Sequence, residues 1–164
     1  MITWDAHHVQ HLHARCLFGS TSKSTGIALS YNLEDYVEKV LLAPVSLPAP
    51  PGDWINEEPS TASSTYQGQL ISWWLLLLLQ SNTLQEKMVL FWHNHFVSEM
   101  LKVWYPQHMY WQNYLFRQHA FGNFKTLTKA ITTNAAMLIY LDGIHNSKLK
   151  PNENYARELW SCLH

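Results

Sequence analysis

The stretch LISWWLLLLL, Leu70 to Leu79, constrains this chain more than any other. It carries no charge, and Ser72 is its one hydroxyl. A membrane-spanning helix needs about 20 apolar residues, so the run is too short to cross a bilayer. Its surroundings show no period-two alternation of a half-buried strand. It is therefore expected to be a core helix, apolar on all sides, within a helix over 66–80.

The flanking segments extend the helical pattern. Residues 5–18 place Val9, Leu12, Cys16 and Leu17 at helical spacing. Asn32 opens a second helix with Leu33, Val37, Val40 and Leu41 on one stripe, ended by Pro44. Thr83-Leu84-Gln85-Glu86 has the form of a capping box, which predicts a helix from Thr83 through His95 towards Glu99. Further helices are expected over 107–121, over 123–133 with Asn123 as N-cap, over 134–142 and from Asn152 onward. The expected class is all-α: an irregular bundle of about seven helices in one domain over 1–164. Residues 44–66 hold five of the seven prolines and many serines and threonines. They exceed the usual loop of about 4–6 residues and are read as an extended strap.

Charge narrows the function classes. Formal net charge is −1, and the basic residues are scattered, so no clustered face exists to neutralise phosphates. Nucleic acid is not an expected partner. Charged residues make up 14% of the chain, against a usual level of about 25%. Such a surface invites self-association or cover by further chain. The two cysteines, Cys16 and Cys162, form no CxxC; two buried thiols or one disulfide both fit. The N-terminus lacks the basic and apolar regions of a secretory signal. A nucleophile elbow and a glycine-rich phosphate loop are both absent.

Two stretches could carry chemistry. In QEKMVLFWHNHF, His93 and His95 are two apart. On a helix that is about 200° of rotation, so the rings serve separate neighbours. His95 precedes Glu99 by one turn, a spacing that would let the carboxylate orient the ring. Both histidines could be satisfied core groups, or one could face a cleft as base or ligand. In PNENYARELW, Glu153 and Arg157 are four apart, with Glu158 beside them. They form either a surface salt bridge or a buried network near the histidines. His7 and His11 also share a helical face. No acidic third ligand stands at a matching offset, so that pair is read as a solvated helix end. Asp142, before Gly143, is read as a turn former.

The blocks HLHARCLFG, LQEKMVLFWHNHF, NYLFRQHAFGNFKTL, AAMLIYLDG and PNENYAREL resemble, in order and spacing, the bacterial family called domain of unknown function 1800. The resemblance covers nearly the whole chain except the proline-rich segment. FWHNHF and NENYAREL are its most specific parts, and EKMVLFWHNHF is most similar to Bacteroidetes members. It implies a predominantly helical fold and a longer protein, of which this chain corresponds to the N-terminal third to half. Family members often carry export signals and continue after AREL with a segment like MELFTLG. Here Trp160, Ser161, Cys162, Leu163 and His164 stand instead. The family implies no assigned activity or cofactor.

Two functional readings follow. The first is a helical binding or assembly module whose polar residues form a buried network. The second is part of a hydrolytic or metal-assisted enzyme, with His93 or His95 as base or ligand. There Glu153 and Glu158 would orient it or share protons, and Arg157 would hold a substrate anion. The first ranks ahead, because a catalytic constellation needs a pocket.

Overall fold

A computed structural model describes residues 3–59 and 63–161. Cys162 therefore lies outside the described residues, and Cys16 is a free, half-buried thiol. Among the described residues ten α-helices follow one another: α1 (Ala6–Cys16), α2 (Ser22–Leu29), α3 (Leu33–Tyr36), α4 (Ser64–Gln80) and α5 (Gln85–His95) come first. Then come α6 (Met100–Val103), α7 (Pro106–Gln118), α8 (Phe124–Ile131), α9 (Ala135–Tyr140) and α10 (Glu153–Ser161). Among the described residues there is no strand, only an isolated bridge between Ser147 and Lys150. The fold is all-α.

Caps explain most of the helix starts. Asp5, Thr21, Asn32, Ser63, Asn123 and Asn134 each accept a hydrogen bond from the first turn of the helix they precede. Pro106 opens α7, where its missing N–H costs nothing. The short helices α2 and α6 carry too few apolar residues at helical spacing to be visible in the pattern. After Tyr36 the chain continues through a π-helical turn, Val37–Leu41.

α7 is the central helix, and α4, α5, α6, α8 and α9 all pack on it. Val89, Phe96, Phe116, Leu127, Ile131 and Met137 form the core between α5, α7, α8 and α9. A second cluster, with Val9, Ala28, Tyr36 and Leu41, joins α1, α2 and α3. It is tied to α5 by Lys87, whose Nζ donates to Leu17 O at 3.1 Å and lies 4.5 Å over the Phe18 ring. Between α3 and α4 the chain lies along α4 and α7. The Trp73 indole donates to Ala49 O at 2.8 Å, the Trp111 indole donates to Ile55 O at 3.2 Å, and Trp54 stacks on Tyr66.

Two expectations are overturned. α4 is not a core helix. Leu70 is its one buried residue, while Ile71, Leu75, Leu76 and Leu79 are 53%, 52%, 54% and 78% exposed. α5 and α7 cover it from one side only, so a helix apolar all round still shows half its girth. The capping box at Thr83 does not form either. α5 begins at Gln85 with no side-chain cap, because Glu86 turns inward to Arg117.

Candidate functional site

The strongest polar feature lies where α5 meets α7. The Arg117 guanidinium embraces the Glu86 carboxylate with two parallel hydrogen bonds, Nη1 to Oε1 and Nη2 to Oε2, the latter 2.8 Å. The Arg117 and Glu86 side chains are 2% and 7% exposed. Arg117 Nε donates to Asn113 Oδ1 one turn earlier at 2.9 Å. The guanidinium also lies 5.2 Å over the Trp73 ring of α4. Gln85 Nε2 closes the group on Arg117 O at 2.9 Å. Glu86 sits in the first turn of α5, where the helix dipole favours a negative charge. The charges are matched and enclosed, and the forked geometry fixes the angle between two helices. Such a group holds structure; it offers no open position to a substrate. It consists of residues that the sequence reading assigned to a cap and to a helix interior. An inward Glu on α5 with an Arg four residues after an Asn on α7 was its one sequence trace.

His93 and His95 leave α5 towards different neighbours. The His93 ring stands edge-on to Trp74 at 5.1 Å and to Phe116 at 6.2 Å. Burial pushes its pKa below the usual imidazole value, so the neutral ring is favoured. No hydrogen bond to His93 occurs among the described residues. It lines a cleft of about 260 Å³ between α4, α5, α6 and α7, together with Ile71, Trp74, Ser98, Glu99 and Met109. His95 lies among aromatic rings, stacked along Phe91 and edge-on to Phe96 and Phe124. Its Nε2 is enclosed and has no hydrogen-bond partner. The expected His95–Glu99 contact is absent. α5 ends at His95, Phe96 turns to φ −102° and ψ 72°, and Glu99 becomes the residue before α6.

Glu153, Arg157 and Glu158 lie together on the solvent side of α10. Arg157 Nη1 is 3.9 Å from Glu153 Oε1, and its Nε is 3.8 Å from Glu158 Oε1. The three side chains are 65% (Arg157), 91% (Glu153) and 52% (Glu158) exposed. Among the described residues, no hydrogen bond or ion pair joins them to His93 or His95. The inward residues of this stretch are others. The Tyr155 hydroxyl donates to Thr132 O, and Asn152 Nδ2 donates to Leu141 O and Asp142 O at 3.2 and 3.0 Å. Tyr155 also packs so tightly on Gly143 that a Cβ there would lie 2.8 Å from its ring. Asp142 takes a left-handed backbone, φ 57°, and pairs with Lys102 at 3.1 Å.

At the N-terminus the structure supplies the carboxylate that helical counting did not find. Asp5 precedes α1 with an extended backbone, φ −136° and ψ 178°. Its carboxylate turns back over the first turn, accepting from the His7 and His8 amides and meeting His8 Nδ1 at 2.8 Å. Those hydrogen bonds, the His8 amide first, hold the Asp5 pKa below the usual carboxylate value. Ligand atoms of Asp5, His7 and His8 lie within 4.8 Å of one another. Two imidazoles and a carboxylate suit a first-row divalent ion, but the positive end of the α1 dipole opposes a cation there. His13, on the same helix, is buried and bonded to Ser20 Oγ at 2.9 Å and Tyr36 Oη at 2.7 Å.

Among the described residues, no helix is long and apolar enough to cross a membrane. A family model described as "Protein of unknown function (DUF1800)" matches residues 11–161. No curated protein and no solved structure matches the chain.

Proposed function

The chain belongs to the DUF1800 family, which supplies no activity to transfer, and from that premise we propose on physical grounds that it is an assembly module. It pairs with a second copy of itself through α4. One observation carries this: α4 spans 17 residues and exposes Ile71, Leu75, Leu76 and Leu79 on one side. No charged residue stands anywhere between Glu58 and Glu86. Apolar stripes of this kind mark interaction surfaces. Two copies related by a twofold axis would set apolar side chains against each other. No ion would be desolvated and no like charges opposed. The Glu86–Arg117 pair supports the role by holding α5 and α7 rigid behind α4.

The enzyme reading has weaker support. Among the described residues His93 makes no hydrogen bond or ion pair with a carboxylate, and Glu153, Arg157 and Glu158 pair with one another in solvent.

Sedimentation velocity of the wild type and of Leu75→Glu/Leu79→Glu tests the proposal. The wild type is expected to be dimeric and the variant monomeric with an unchanged helical circular dichroism spectrum. A wild type that is monomeric at every concentration, or a variant that still dimerises, overturns it.

A further inference from the structure

The cleft beside His93 carries a second inference; it shares Ile71 with the α4 stripe, so its test is run in a background in which that stripe is disrupted. Its walls are mostly apolar, with Leu70 and Ile71 on one side and Met100 and Met109 on the other. Its polar groups are left incomplete. Trp74 lines the cleft, and its indole N–H is enclosed with no acceptor. Gln112, fully buried behind Ser98 and outside the cleft lining, accepts from the Ser98 hydroxyl through Oε1. His93 contributes a second polar edge to the cleft, and among the described residues it makes no hydrogen bond. Enclosed donors are nearly always matched in folded proteins, and an unmatched one is costly. The unmatched Trp74 N–H and the unengaged His93 imidazole at one cleft point to a missing acceptor.

Charge restricts what that acceptor can be. No Lys or Arg lines the cleft, and its one formal charge is Glu99 at the exposed rim. An anion would face a carboxylate with no counter-charge. A cation would meet the Trp74 N–H by its positive end. A neutral oxygen avoids both penalties.

We propose that this cleft binds a small neutral molecule with an apolar body and a carbonyl oxygen, the oxygen accepting from the N–H groups around Trp74 and His93. The volume of about 260 Å³ lies just under the usual range for ligand sites of about 300–1,000 Å³, which limits the ligand to a compact one.

The test uses four probes of similar size: acetophenone, ethylbenzene, benzoate and benzylamine. Each is titrated into the ¹⁵N-labelled full chain carrying Leu75→Glu/Leu79→Glu. That background is monomeric if the assembly proposal holds, and neither residue lines the cleft, so the two proposals fail separately. The Trp74 indole N–H resonance is assigned by its loss in Trp74→Phe. Acetophenone is expected to shift that resonance saturably and to bind about fivefold or more tighter than the other three, the worth of one hydrogen bond. Trp74→Phe and a cleft-filling Met109→Trp should each weaken acetophenone binding while keeping the helical spectrum. No saturable shift, equal binding of ethylbenzene, or preference for benzoate or benzylamine overturns the proposal. If Met109→Trp does not fold, the probe ranking and Trp74→Phe decide.

Discussion

Glu86–Arg117 and Arg157 with Glu153 and Glu158 are built from the same residue types and differ in almost everything else. The first is enclosed between two helices, forked, and backed by Asn113, Gln85 and Trp73. The second lies along one exposed helix, at 3.8–3.9 Å, with water on every open side. Local spacing favoured the second, since Glu153 and Arg157 have the ideal i, i+4 order. Enclosure gives weight to the first, because water screens the second and is kept from the first.

The comparison breaks or sharpens under a graded set of substitutions. The largest effect is expected from Glu86→Ala, which strands the Arg117 charge inside and should cost about 3–5 kcal/mol. Urea unfolding checks this. Replacing both Glu86 and Arg117 with Met should cost less than Glu86→Ala alone, since no charge stays buried unpaired. If the single variant is as stable as the wild type, the central place given to the pair is wrong.

The next effect is in pH. Burial lowers the pKa of His13, His93 and His108. The unfolded chain, with histidines near the ordinary value of about 6.5, then binds protons before the folded chain does. Stability is fully present above that value and falls as pH drops through it towards the lowered folded values. Unfolding at pH 7.5 and pH 5.5 should show the loss. His13→Gln, which keeps partners for Tyr36 and Ser20 without titrating, should reduce it. A stability that rises on acidification would contradict the burial of these rings.

Smaller effects separate the inward and outward residues of α10. Tyr155→Phe removes the hydrogen bond to Thr132 and should cost about 1 kcal/mol. Arg157→Ala, on the exposed side, should change stability by less than about 0.5 kcal/mol. A larger loss for Arg157→Ala than for Tyr155→Phe would reverse the assignment of the two faces.

The residues themselves determined the all-α class and the starts of α1, α3, α8 and α9, because a cap is a contact between residues two or three apart. They determined as well that His93 and His95 leave one helix in different directions, since helical rotation per residue does not depend on what lies outside. Tertiary structure alone decided that Glu86 abandons its local cap for Arg117, a partner 31 residues away. It also decided that α4 is exposed on one side. Each of these depends on which surfaces meet and which are left to water. Apolarity and charge record what a side chain requires, and only packing determines whether it is supplied.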